Sequence, residues 1–317
     1  MRQTECFDTY WKFACERMVI YHARVQGLPG PWTDYPVVSS YRFTNAYRAA
    51  DRVSQYLIRE VQYNPEFSDA PEEVFFRTML FKIFNKVETW KAIEVEFGPV
   101  VWATFNPPAV IQFLHDRMDS GITNYSAAYI MATPKYGGVK KHANHILMLL
   151  DMMKNNLPAR IAQAPSLEEI YKLILGYSGL GPFLAFQYTI DLNYSTLCDH
   201  EESTFVVAGP GALDGISKCF TDMGRRSAEE VIMLVTEYQE YELERHGLSF
   251  HNLFGRRLQP IDCQNLFCEI SKYARVAHPE IKGKAGRTQI KQKYDCKDKL
   301  PVIKPYFPPK WGINQGE

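Results

Sequence analysis

The chain has little that would tie it to a membrane or to a common cofactor. None of its 317 residues lies in an uncharged apolar run approaching the length of a membrane-crossing helix. Met1-Arg2-Gln3-Thr4-Glu5-Cys6 has neither an apolar core nor a small-residue cleavage site, which speaks against a secretory signal. Cysteines number seven, an odd and thinly spread set that suits free thiols in a reducing cytoplasm. There is no Gly-x-x-x-x-Gly-Lys-Ser/Thr, so no phosphate-binding kinase loop, and no Gly-x-Gly-x-x-Gly following a strand. No Cys-x-x-Cys occurs. His142 and His145 lack a third ligand at useful spacing and read as surface histidines beside Lys140 and Lys141. Cys263 and Cys268 read as ordinary buried thiols. No metal and no cofactor is expected. Strand-like alternation is scarce, limited to Val100-Val101-Trp102 and Phe205-Val206-Val207, and no internal repeat is visible.

What is present is an apolar and strongly aromatic chain, 46% hydrophobic with 19 Phe, 19 Tyr and 5 Trp. That composition is ample for a folded core and excludes disorder as the main theme. Phe7, Tyr10, Trp11, Ala14, Met18 and Tyr21 recur at helical spacing, which predicts a helix over 7–25, stopped by Gly27-Leu28-Pro29-Gly30-Pro31. Further helices are predicted over 45–63, 71–96, 109–120, 139–155 and 228–244. Ser166-Leu167-Glu168-Glu169 opens another, ending near Gly176. The expected fold class is mainly α. The expected organisation is one unit, with an N-terminal helical part to about residue 130, a hairpin-bearing part over 131–245 and a basic helix and tail over 246–317.

Lys and Arg total 36 and so do Asp and Glu, yet the balance is uneven. Residues 271–317 carry eleven basic against four acidic side chains, a surplus of seven. A basic tail on a neutral protein suits a polyanionic partner, and equally suits a solvated surface. Pro308-Pro309-Lys310-Trp311 is expected to anchor the terminus.

The most informative segment runs Leu173-Ile-Leu-Gly-Tyr-Ser-Gly-Leu-Gly-Pro-Phe-Leu-Ala185. A helix ends, Gly179-Leu180-Gly181 turns, and Pro182 takes the first position of the next helix. The pattern looks like a helix-hairpin-helix, in which glycines let the backbone approach a DNA phosphate and helix N-terminal amides face it. A purely structural corner between helices would read the same way. Asp199 follows Gly181 by eighteen residues, within Cys198-Asp199-His200-Glu201-Glu202. A carboxylate there can stabilise an oxocarbenium-like sugar or orient a nucleophile, and Glu201, Glu202 and Asp191 compete for the role. Phe183 stands where a lyase lysine would stand, which disfavours Schiff-base chemistry.

Longer segments carry a family resemblance. They are Tyr41-Arg-Phe-Thr-Asn-Ala-Tyr-Arg-Ala-Ala-Asp-Arg-Val-Ser-Gln-Tyr-Leu57, Phe75-Phe-Arg-Thr-Met-Leu-Phe-Lys-Ile-Phe-Asn-Lys86, Ile190-Asp-Leu-Asn-Tyr-Ser195, Phe205-Val-Val-Ala-Gly-Pro-Gly-Ala212 and Asp262-Cys-Gln-Asn-Leu-Phe-Cys-Glu269. Over roughly residues 7–313 the chain resembles the glycosylase-like proteins of phage DNA hypermodification. These include α-glutamyl/putrescinyl thymine pyrophosphorylases, amino acid:DNA transferases and the helical domain attached to hydroxymethyluracil DNA kinases. Related bacterial proteins resemble glycosylases that excise glucosylated hydroxymethylcytosine from phage genomes. The resemblance implies a helix-hairpin-helix DNA glycosylase-like fold that binds double-stranded DNA containing modified pyrimidines and flips the base. It leaves three activities open: monofunctional excision of the base in anti-phage defence, transfer of an amine or amino acid co-substrate onto thymine, and non-catalytic DNA binding. Kinase activity does not carry over without the phosphate-binding loop.

Within the matched segments, Asn45, Arg48 and Arg52 fall on one stripe of the predicted helix, and Arg48 and Asp51 can pair at i,i+3. Asn45, Arg48 and Asp51 are candidates to read a flipped base and Arg52 to meet phosphate, or the group is a surface ion-pair cluster. Phe43, Tyr47, Phe76 and Trp90 are stacking candidates, although most such aromatics belong to cores. Gly209-Pro210-Gly211 is either a second anion-facing turn or a plain one. Gln264, Glu269, Lys272 and Arg275 share a helix. Gln264 and Glu269 are pocket candidates, and Lys272 and Arg275 are phosphate candidates.

Overall fold

In the computed structural model, which describes residues 1–128, 130–295 and 304–314, the protein is mainly α. The described residues form fourteen α-helices, a few single turns and one two-stranded sheet. The chain divides into two compact units, 1–51 with 202–317, and 52–201.

The first unit opens with β1 (Arg2–Gln3), α1 (Glu5–Val25) and α2 (Pro36–Ser40). Thr4 caps α1 by accepting from the Cys6 N–H (3.2 Å). The periodicity read from the sequence is the buried face of this helix, where Phe7, Tyr10, Trp11, Ala14 and Met18 lie in the core.

The second unit holds α3 (Arg52–Tyr56), which widens directly into a π-helical turn over Leu57–Gln62. It continues with α4 (Pro71–Phe84), α5 (Val87–Phe97), α6 (Pro107–Asp119), α7 (Lys141–Lys154), α8 (Leu157–Ala162), α9 (Leu167–Leu175) and α10 (Pro182–Tyr194). Central α4 is buried from Glu73 to Phe84. The helix predicted over 71–96 is two helices, because Asn85 takes left-handed backbone (φ +48°) and accepts from Lys82 Nζ (2.7 Å). The Lys82 ammonium also pairs with Asp191 (3.0 Å), and both side chains are buried. Arg77, also buried, donates to the carbonyls of Val61, Gln62 and Ser68, satisfying the end of the π turn. Phe76 and Trp90, stacking candidates from the sequence, are core residues here. His142 and His145 are buried rather than on the surface. His145 Nδ1 bonds Tyr125 (2.7 Å) and its Nε2 bonds the Ala132 carbonyl (3.0 Å).

The chain completes the first unit with α11 (Pro210–Cys219), β2 (Phe220–Asp222), α12 (Ala228–Glu237), α13 (Gln239–Arg245) and α14 (Pro260–Ala277). β2 pairs antiparallel with β1, setting Arg2 opposite Asp222. Phe205-Val206-Val207 is not a strand. The helices α11 and α14 cross very closely. A Cβ on Gly215 would fall 1.9 Å from the Phe267 carbonyl, and one on Gly211 would fall 2.2 Å from Cys268 Sγ. Tyr10 and Phe267 pack at 4.6 Å, joining α1 to the crossing. Residues 278–295, after α14, form no helix or strand and run back along 40–42. Arg42 N–H donates to Gln292 O (3.0 Å) and Tyr294 N–H to Ser40 O (2.9 Å). Lys297 and Lys299 of the basic stretch lie outside the described residues. Among the described residues no helix is long and apolar enough to cross a membrane.

Candidate functional site

Residues 41–51 do not continue a helix. They run extended from Tyr41, form a single 3-10 turn over Arg48–Ala50, and give way to α3 at Arg52. Asn45, Arg48 and Arg52 therefore share no helical stripe. Asn45 ties the segment into a loop, its N–H donating to Asp51 Oδ1 (2.8 Å) and its Nδ2 to the Ala50 carbonyl (2.7 Å). Arg17 on α1 donates to Thr44 O (2.9 Å) and to Asn45 Oδ1 (3.2 Å). The Thr44 N–H donates to Glu269 on α14 (3.1 Å). The Arg48 N–H donates to Asp262 Oδ1 (2.8 Å), whose other oxygen caps α14 by accepting from Gln259 (3.0 Å).

The same unit contributes Glu202, at the start of a short 3-10 turn. Its side chain is only 5% exposed and pairs with Arg256 Nη2 at 2.7 Å. The Arg256 carbonyl accepts from the Tyr47 hydroxyl (2.5 Å), and its guanidinium carbon lies 3.7 Å from the centre of the Trp311 ring. Glu202, Arg48, Arg256, Asp262 and Lys310 thus form one electrostatic cluster. Burial pushes the Glu202 carboxyl up to about 7, with Asp262 adding to the rise and Arg256, Arg48 and Lys310 opposing it. Burial also lifts Asp51 to about 7 against the Asn45 N–H. Asp262 rises to about 6 for the same reason, against the N–H groups of Gln259 and Arg48. Three carboxyls raised toward neutrality by burial, beside buried Arg48 and partly buried Arg256, are able to hold or release protons at working pH.

The family described as 5-hmdU DNA kinase, helical domain, matches residues 4–283. The chain belongs to that family. It is also 28% identical over 285 residues to the 5-hmdU DNA kinase of Bacillus phage SP10, an alignment covering 84% of this chain and 44% of that protein. The chain therefore spans less than half the length of this relative. No solved structure matches it.

The other candidates take varied places in this helical domain. Asp199 is exposed at the end of the second unit, whereas Asp191 is wholly buried and held by Lys82. The hairpin forms as read, with Gly179 at φ +84° and packed on Pro134 and Gly181 capping α10. Gly181 is exposed, and a Cβ there would meet nothing within 4 Å. Ala185 is fully buried on α10, a helix packed against α9. Gly209 and Gly211, expected to face an anion, are committed to α14. The Gly209 N–H donates to Gln264 Oε1 (3.0 Å), and Gly211 faces Cys268. Gln264 is accordingly a buried cap partner.

Tyr47 is buried with its hydroxyl engaged, so its ring does not face an open pocket. Phe43 is half-buried against Phe13 and Tyr273, with the Lys272 ammonium 4.8 Å above its ring. Lys272 pairs with Glu269 (2.7 Å), and Arg275 donates to the Gln289 carbonyl. Arg52 is exposed. A cavity of about 210 Å³ opens beside Phe13 and Tyr273, between α1, α2 and α14. Among the described residues no group of three or more His, Cys, Asp or Glu is placed to hold a metal ion.

Sequence reasoning missed Arg17, Arg256, Asp262 and Trp311. Asp262 carried a signal of its own, since it stands two residues after Pro260 at the head of a helix. Arg256 carried none, because only the fold brings it to Glu202.

Proposed function

We propose that this domain binds duplex DNA bearing a modified pyrimidine of the 5-hydroxymethyluracil type, turns the nucleotide out of the stack and hydrolyses its N-glycosidic bond. Glu202 is the carboxylate that accepts the proton of the attacking water. The observation that carries this reading is the Glu202 carboxyl, buried, paired with Arg256 and titrating near 7. A base must be matched in pKa to working pH; of the other two candidates, Asp199 is exposed and Asp191 is wholly buried against Lys82 in the second unit. In the step, the C1′–N1 bond breaks and its electron pair leaves with the base. The water oxygen bonds to C1′, Glu202 takes the water proton, and the departing base collects a proton from solvent. Arg256 keeps the carboxylate available as charge develops on the sugar. In the second unit, taken by itself, the backbone at Gly181 and the first amides of α10 are offered to DNA phosphate.

The substrate class is supported by the phage SP10 relative, a 5-hmdU DNA kinase. Phosphoryl transfer itself is not assigned to this chain, which has no phosphate-binding loop. Incubating the protein with duplex DNA containing 5-hydroxymethyluracil, plain or further modified, and weighing bases and nucleosides by mass spectrometry tests the reading. Free modified base with abasic DNA is expected. A heavier nucleoside would point instead to transfer of an amine. Unchanged DNA across all substrates would leave DNA binding alone.

A further inference from the structure

Segment 304–314 lies beyond the residues matched by the family, yet it closes over the turn that presents Arg256. It is clasped on itself. The Phe307 N–H donates to Asn314 Oδ1 and Asn314 Nδ2 donates back to the Phe307 carbonyl, both at 2.8 Å, with Gly312 at φ +66° making the return. The Phe307 ring is buried and stacks on Trp311 at 6.2 Å and 17°. From this clasp Phe307 reaches Phe254 (6.2 Å) and Trp311 covers Arg256 (3.7 Å), so both sides of the 253–256 turn are gripped. That turn is strained. Phe254 adopts φ +52° and Gly255 φ +96°, and left-handed backbone at a bulky residue persists only where its surroundings hold it.

We infer that segment 304–314 is a working part of the Glu202 site, with Trp311 a positioning residue whose indole face holds the Arg256 guanidinium against Glu202. The inference rests on the reading of Glu202 as the functional carboxyl. A guanidinium on a long flexible stem pairs with a carboxylate only at a cost in side-chain freedom, and a fixed aromatic face lowers that cost by restricting the guanidinium beforehand. The charged groups facing Glu202 are Arg256, Asp262, Arg48 and Lys310, the last carried by the same segment. Replacing Trp311 by leucine keeps apolar bulk beside Arg256 and removes the π face. Arg256 is then free to turn to water, and Glu202 remains buried with a weaker counter-charge.

The test is carbon NMR of glutamate-labelled full-length protein, with the Glu202 signal assigned through Glu202→Gln. In Trp311→Leu the Glu202 titration midpoint should rise by about one pH unit, and in Trp311→Phe it should stay near wild type. An unchanged or lowered midpoint in a folded Trp311→Leu overturns the inference. Should that variant not fold, Asn314→Ala opens the clasp without touching the indole and must raise the midpoint, and an unchanged value there overturns the inference equally. The midpoint is read without substrate, so failure of wild-type protein to release a base counts against the glycosidic reading and not against this one.

Discussion

Two buried carboxylates show why position alone does not make a catalyst. Asp191 and Glu202 are both removed from water, but Asp191 is locked to Lys82 at 3.0 Å inside the core of its unit, and its backbone carbonyl accepts from Gln62 (2.7 Å). Breaking one side of such a pair leaves a buried ammonium without its counter-charge. Asp191→Asn should therefore cost about 3 kcal/mol or more of stability, read as a lowered midpoint in urea unfolding. If stability stayed at wild type while base release vanished, Asp191 would be restored as a catalytic candidate. Glu202 is raised by burial to about 7 against Arg256, Arg48 and Lys310, and so retains a protonation equilibrium near neutral pH. In the sequence these residues differ little, each an acid near the hairpin. What separates them is the partner, and Lys82 and Arg256 are distant along the chain.

Helices with strong periodicity or clear caps are legible in the sequence. Those at 5–25, 167–175 and 182–194 lie where spacing, Ser166 and Pro182 put them. Their breaks were not legible. Asn85 ends α4 in left-handed backbone although helix-forming residues follow, and residues 45–51 look helical in composition but are held in a loop by Asn45, Asp51 and Asp262. The glycine turns look alike in sequence and differ in what surrounds them. Gly181 has open space where a Cβ would lie, whereas Gly211 sits against Cys268. Gly181→Val should thus leave the thermal midpoint nearly unchanged and weaken DNA binding by roughly tenfold, since it blocks backbone approach to phosphate. Gly211→Ala should destabilise by about 2 kcal/mol, and much of that loss should be recovered when combined with Cys268→Ala, because the clash is shared. Calorimetry together with fluorescence anisotropy on labelled duplex reads both. Equal DNA affinity in wild type and Gly181→Val would remove the hairpin from the interface.

Across the whole molecule, the two units carry ionisable groups of opposite tendency. Glu202 titrates near 7 when folded against an ordinary 4.5, so between those values the folded chain keeps a proton that the unfolded chain has lost. Stability from this group is full below about 4.5 and falls as pH rises to 7, by on the order of 3 kcal/mol. Buried His145 is pulled down from 6.5 to about 4 by burial and by nearby Lys141, so its contribution is full above 6.5 and is lost as pH falls toward 4. Amide exchange corrected for intrinsic rates should show α14 less protected at pH 8 than at pH 5, and α7 the reverse; parallel trends in both would refute these assignments. The mainly α architecture was plain from composition and periodicity, and family membership rests on residues 4–283. The acidic site depends on contacts between segments far apart in sequence, which composition and periodicity do not encode. The most direct test of the Glu202 account is the rate of modified-base release from duplex DNA by wild type and Glu202→Gln, followed from about pH 5 to about pH 9. Wild-type activity should rise through a midpoint near 7 and the variant should fall by at least about a hundredfold, whereas a variant as fast as wild type would contradict the account.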